Sequence, residues 1–178
     1  MLWLLTQTVN EMPEFRTALT ENGLGYYDEM HPAYTIFNRE QKTFSGIWTA
    51  YKSNYTAFLS SYEADVARYS SSKEYAPKPE RPVNSFDVSM IPWFSFTAFN
   101  LQVFGDGNYL LPIFTMGKAF DAGSKKILPL AIQVHHAVCD GYHVGRFIEL
   151  LQKKINDFDF GFNSAPSDIS ATVKGRTK

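Results

Sequence analysis

Three of the four histidines in this chain fall at positions 135, 136 and 143, and an aspartate stands among them at 140. The run Gln133-Val134-His135-His136-Ala137-Val138-Cys139-Asp140-Gly141-Tyr142-His143 closes a β-like stretch over 127–134 and leads into an amphipathic helix. An imidazole titrates near neutral pH, so His136 is a candidate general base toward a nearby acceptor hydroxyl. That chemistry needs one ring nitrogen free of its proton, and something must hold the tautomer. Asp140, four residues on, is the candidate orienter, directly or by organising the turn. Gly141 lets the backbone leave the strand and start the helix.

Each of these residues also has a plainer reading. Asp140 stands where a helix N-cap belongs, and capping alone accounts for an aspartate there. Adjacent residues on a strand face opposite ways, so His135 and His136 should diverge and one of them should be structural. His143 falls in the first helical turn, where packing or solvation accounts for it. A zinc site from His135, His136, Asp140 and His143 competes with base chemistry. Its spacing fits no common zinc motif, however, and no metal is expected. Cys139, in an apolar run, reads as inert packing.

The elements that must position these groups follow from the residue pattern. Residues 1–10 read as a buried helix stopped near Pro13. Gly23, Leu24 and Gly25 read as a turn between short extended runs at 15–19 and 26–28. Residues 34–37 and 43–48 read as strands. The apolar spacing of Tyr55, Phe58, Leu59, Tyr62, Val66 and Tyr69 is helical. Residues 70–82, rich in Ser, Lys and Pro, form a surface loop. Extended segments follow at 86–93 and 96–103, broken by Pro92, and a hairpin pairs 109–118 with 126–134 around Asp121-Ala122-Gly123-Ser124. A last helix covers about 141–158, with Val144, Phe147, Ile148, Leu151 and Ile155 on one face. Helices flanking a block of strands predict a two-layer α/β sandwich with a mixed β-sheet packed against helices. Residues 1–160 are expected to form one domain and 161–178 a flexible tail.

Composition bounds the function. The 178 residues, 44% hydrophobic and 16% aromatic, suffice for one sizeable core. A net charge of -1 argues against a nucleic-acid partner, which needs a basic face. The apolar start, Met1-Leu2-Trp3-Leu4-Leu5, is too short to span a membrane, and no membrane partner is expected. A single cysteine excludes an intrachain disulfide and points to a reducing, cytoplasmic location.

Read together with Thr43-Phe44-Ser45, Ser89-Met90-Ile91-Pro92-Trp93, Phe99-Asn100-Leu101 and Leu111-Pro112-Ile113-Phe114-Thr115-Met116-Gly117-Lys118, the histidine run closely resembles the active-site blocks of the chloramphenicol acetyltransferases. Order and spacing agree from about Val9 to Leu151. The resemblance implies a CoA-dependent acyltransferase-like fold and transfer of acetyl from acetyl-CoA to a primary hydroxyl of chloramphenicol, conferring antibiotic resistance. His136 is then the base in a direct attack through a ternary complex. Ser89 is the hydroxyl donor to the developing oxyanion, Thr115 helps through a bound water, and Asp140 organises the site. Phe44 and Leu101 line the antibiotic pocket, and Lys118 faces a CoA phosphate. Outside the resemblance, Ser89 would bond backbone, Thr115 would express β-propensity, Lys118 would be solvated, and Phe44 and Leu101 would be core. The family implies a homotrimer with active sites at subunit interfaces, the base from one subunit and most of the pocket from its neighbour.

The chain also departs from the family pattern. The family carries a further strand and helix ahead of the position matched by Met1, so the domain is expected to be N-terminally truncated relative to it. That segment supplies pocket aromatics and an arginine that pairs with the residue matched by Asp140, leaving Asp140 without its charge partner. Ala76 stands where the family commonly has a phenylalanine in the pocket wall. The rival reading of the whole is therefore a catalytically silent remnant that binds CoA or the drug without turnover.

Overall fold

A computed structural model of the chain describes residues 1–102 and 107–158. Helix α1 (Leu2–Glu11) buries Leu4, Leu5, Thr6, Thr8 and Val9. The hydroxyls of Thr6 and Thr8 donate to the carbonyls of Leu2 and Leu4, one turn back, so two buried polar groups are satisfied within the helix. Met12 is extended because Pro13 follows, and the helix ends there. A 3-10 turn (Pro13–Arg16) then seats Phe15 in the core, where an extended run was expected.

The hairpin β1 (Thr17–Thr20) and β2 (Gly23–Tyr26) corrects the sequence reading nearby. Gly23, Leu24 and Gly25 are strand residues, paired with Thr20, Leu19 and Ala18. Glu21 and Asn22 make the reversal, and Gly23 supplies the positive φ of 98° that closes it.

Strands β3 (His31–Asn38), β4 (Thr43–Trp48), β5 (Ser85–Met90), β6 (Ile113–Met116) and β9 (Leu130–Gln133) form a five-stranded sheet in the order β4-β3-β5-β6-β9. The β3–β4 and β6–β9 pairs are antiparallel, while β3–β5 and β5–β6 are parallel. Helix α2 (Tyr55–Tyr69), capped by the Asn54 side chain on the Ala57 N–H, carries the chain back for the parallel return. Between β6 and β9 the expected hairpin bears a small two-stranded extension, β7 (Phe120–Ala122) with β8 (Lys125–Ile127). Strand β5 stops at Met90, and 96–102 form no strand, so the second extended segment expected there is not one; Val103 lies outside the described residues.

Because successive side chains alternate, the registers sort the sheet into two faces. Tyr34, Ile36, Ile47, Phe86, Val88, Phe114, Met116, Leu130 and Ile132 share the face that joins the hydrophobic core with the helices. Helix α3 (Gly141–Asp157) docks there through Phe147, whose ring stacks on Phe15 at 4.3 Å and on Phe114 at 5.4 Å. Lys154 bonds Glu11 at 2.6 Å and ties α3 to α1. Leu151 is buried on the expected face of α3, but Ile148 is 52% exposed and does not belong to it. The architecture is the predicted α/β sandwich, helices on one face of a mixed sheet. The predicted tail at 161–178 lies outside the described residues.

Candidate active site

The other sheet face carries Phe44, Gly46 and Trp48 on β4, Ala33, Thr35 and Phe37 on β3, Asp87 and Ser89 on β5, and Ile113 and Thr115 on β6. Ser89 and Thr115 are register partners, so the parallel pairing sets them side by side. Their hydroxyl oxygens lie 3.0 Å apart, and either can donate. Thr115 is buried and Ser89 half-buried, so this pair is a preformed polar spot on an otherwise largely apolar floor.

Above the floor lies a cavity of about 340 Å³, lined by Ser89, Asp87, Trp48 and Leu101 among others and roofed by Tyr75, Ala76, Lys78 and Arg81. The roof is fixed to β4 by backbone and side-chain bonds: Gly46 N–H to the Tyr75 carbonyl, Ser45 Oγ to the Glu74 carbonyl, and Trp48 Nε1 to the Pro79 carbonyl. Lys78 Nζ sits 4.2 Å from the centre of the Trp48 ring and 2.6 Å from Asp65 Oδ1. Asp65 Oδ2 accepts from Thr49, whose oxygen lies 2.7 Å from the Tyr34 hydroxyl, so the roof is wired to α2 and the sheet. Ala76 borders the cavity where a larger ring would intrude.

Leu101 lines this cavity. Phe44 is not among its lining residues. It packs instead with Phe37 at 5.2 Å and Trp93 at 5.9 Å, an aromatic group on the same sheet face. Lys118 is exposed just beyond β6, its backbone N–H held by the Phe94 carbonyl at 2.9 Å.

The histidine run folds differently from the strand expected. Strand β9 ends at Gln133, and the Val138 and Cys139 N–H groups both donate to the His135 carbonyl in a tight turn. The alternation argument for His135 and His136 therefore does not apply. His135 Nδ1 accepts from the Ala137 N–H, which occupies that ring within its own turn. His136 is exposed on the turn. Among the described residues no hydrogen bond links it to Ser89 or Thr115. Ala131 is level with Thr115 and Gln133 with Ile113, and the strand ends there, before the turn that carries His136.

Asp140 caps α3. Its Oδ1 accepts from the Tyr142 and His143 N–H groups at 2.9 and 3.2 Å, and His143 Nδ1 accepts in return from the Asp140 N–H. The His143 N–H first, then the charge of the neighbouring imidazole and the Tyr142 N–H, hold the Asp140 carboxyl below the usual carboxylate range despite some desolvation. The carboxylate is exposed and satisfied, so the expected buried, partnerless aspartate is corrected. The ring that Asp140 orients directly is His143, not His136, and His143 Nε2 continues to Glu14 at 3.5 Å. Gly141 is absent from the positive-φ glycines; it takes ordinary helical backbone, so the turn does not depend on its freedom. Burial, then Glu14 and Asp140, push the Cys139 thiol up to about 11, as befits a packing residue.

A polar group that sequence reasoning missed also borders the cavity. Asp87 bonds Arg81 Nη1 and the Tyr109 hydroxyl, both at 2.9 Å. The available signal was spacing: on a strand, two residues before Ser89 means the same face. Among the described residues, no group of three His, Cys, Asp or Glu is arranged to hold a metal ion, and no helix is long and apolar enough to cross a membrane.

The family model for chloramphenicol acetyltransferase (CAT) matches residues 1–152. A chloramphenicol acetyltransferase of Clostridium perfringens is 52% identical over 157 residues, covering 88% of this chain and 76% of that protein. One from Bacillus pumilus is 48% identical over 164 residues, covering 92% and 74%. Among solved structures, a chloramphenicol acetyltransferase superposes with a TM-score of 0.77 at 20% identity, covering 85% of this chain and 74% of that one. A dihydrolipoamide acetyltransferase of Azotobacter vinelandii reaches 0.64 at 19%, covering 88% and 67%. At such identities these two structures speak for the fold.

Proposed function

Because the chain belongs to the chloramphenicol acetyltransferase family, we propose that it moves acetyl from acetyl-CoA to the primary hydroxyl of chloramphenicol and so confers resistance to that antibiotic. Residues 1–160 act as one catalytic domain, in the cytoplasm and without a metal. His136 takes the hydroxyl proton as the oxygen attacks the thioester carbonyl. The new C–O bond forms, the carbonyl oxygen becomes an anion, and the C–S bond then breaks. The CoA thiolate leaves and recovers the proton from the imidazolium.

The observation that carries this reading is the hydroxyl pair formed by Ser89, which lines the cavity, and the buried Thr115 beside it. When Thr115 donates to Ser89 Oγ, the Ser89 proton is free to point at the oxyanion, where a preorganised donor is worth most. This direct bond supports a role for Thr115 beside the water-mediated one. Asp140 is a positioning residue: its cap fixes where the turn bearing His136 joins α3. Phe44 and Leu101 bound the antibiotic side, and Lys118 faces a CoA phosphate.

The working form in this reading is a homotrimer with active sites at subunit interfaces. The placement of His136 on an exposed turn beyond the β9 end, with no hydrogen bond to Ser89 or Thr115, supports assembly of each site from two copies. The test is CoA-thiol release with acetyl-CoA and chloramphenicol, comparing the wild-type chain with His136→Ala. Turnover by the wild type and a loss on the order of 10³-fold in the variant are expected. Near-equal rates would sink the mechanism, and ligand binding without turnover by the wild type would favour a silent binding protein.

A further inference from the structure

We infer that Asp87, held on the cavity floor by Arg81 and Tyr109, is a specificity-determining residue that accepts a hydrogen bond from a second donor, a hydroxyl or amide N–H, on the acetyl acceptor. The inference rests on the acetyl-transfer reading above and deepens it. Asp87 and Ser89 lie on one strand face two residues apart, roughly 6.6 Å at the usual rise. Both line the same cavity, whose volume suits a small molecule spanning that distance. A group of the acceptor at Asp87 therefore fixes which hydroxyl reaches Ser89.

The carboxylate is oriented from two sides. Arg81 Nη1 binds Oδ1 at 2.9 Å, and the Arg81 Nε donates to Ser85 Oγ at 2.8 Å, which fixes the guanidinium plane. The Tyr109 hydroxyl donates to Oδ2 at 2.9 Å. Burial, then the Asp87 charge, holds the Tyr109 phenol well above its ordinary range, so it remains a donor. A carboxylate offers about four lone-pair sites, so capacity remains on both oxygens after these two bonds. The ionised group beside a permanent guanidinium charge can only accept, and it favours ligand donors over ligand acceptors. A purely structural role accounts for the pair poorly. With side chains 46% and 41% exposed, the Arg81–Asp87 bridge contributes little to stability.

The test compares chloramphenicol with its analogues lacking the secondary hydroxyl or methylated at the amide nitrogen, on wild type, Asp87→Asn and Asp87→Leu. For the wild type, removing the recognised donor lowers kcat/KM about tenfold, equivalent to about 1.4 kcal/mol. In Asp87→Leu that discrimination disappears, the loss falling in KM rather than kcat and on the acceptor that carries the donor. The isosteric Asp87→Asn keeps the shape of the site and a neutral acceptor, so there the discrimination should shrink without vanishing, which decides the matter if the leucine variant does not fold. Equal losses on all acceptors, or undiminished discrimination, would overturn the inference. A wild-type chain that acetylates nothing would overturn the acetyl-transfer reading instead, and calorimetric binding of the same three compounds would still decide what Asp87 recognises.

Discussion

The hydroxyl oxygens of Ser89 and Thr115 lie 3.0 Å apart across the parallel β5–β6 pair, on the sheet face that the helices leave open. The apolar core on the helix-covered face takes Val88, Phe114 and Met116 from these strands, so the hydroxyl pair stands on the opposite face. Two hydroxyls bonded to each other keep one proton to offer elsewhere, which is what stabilisation of a developing oxyanion requires.

Ser89→Ala should therefore lower kcat by roughly 10²–10³-fold with KM little changed, since the bond strengthens only as the oxyanion forms. Thr115→Val should cost less, about tenfold, because it removes only the partner that orients Ser89. Steady-state kinetics on both substrates check this. A rise in KM at constant kcat would assign Ser89 to binding alone.

His136 and Ser89 should complement each other between chains. Mixed assemblies of His136→Ala and Ser89→Ala chains, each nearly inactive alone, should regain about a quarter of wild-type turnover through sites that pair an intact histidine with an intact serine. Co-refolding in equal amounts followed by the thiol-release assay reads this directly. No recovery in mixed assemblies would mean that both groups act from one chain.

The Asp140 cap predicts a pH-dependent stability. Its carboxyl is depressed in the folded state, so its contribution is fully present above the ordinary value of 3.8 and is lost as pH falls through the lower folded value. Asparagine caps at any pH. The excess in Tm of the wild type over Asp140→Asn should therefore be constant at neutral pH and shrink on acidification below 3.8. Thermal scans across that range check it. An excess that grows on acidification would contradict the cap geometry.

The roof of the cavity should depend on the Lys78–Asp65 pair, whose side chains are only 16% and 17% exposed. Asp65→Leu leaves a half-buried ammonium and the Thr49 hydroxyl without their acceptor and should destabilise by about 1–3 kcal/mol. Adding Lys78→Met should restore much of that loss, because no unpaired charge then remains. Urea unfolding of the three variants measures it. A double variant as unstable as the single one would show that the ion pair itself, rather than its unpaired remainder, carries the energy.

The sequence by itself determined the chemical inventory and most of the elements. The periodicity of Phe58, Tyr62, Val66 and Tyr69 forecast α2, and the apolar faces of β3 to β6 forecast a sheet under helices, because burial imposes those periods locally. The aspartate at the head of α3 was legible as a cap for the same reason: its partners, Tyr142 and His143, are two and three residues away. What only the tertiary structure decided were relations between distant segments. Nothing local tells that β9 stops at Gln133, so the histidines looked like strand residues although they lie in the turn ahead of α3. Nothing local tells that the loop near residue 78 reaches Asp65, or that Tyr109 reaches Asp87. Above all, the pairing register sets Ser89 beside Thr115, while His136 stands on the turn beyond the end of β9. Register is fixed by the burial of one whole sheet face, a property of every strand together and of no single segment.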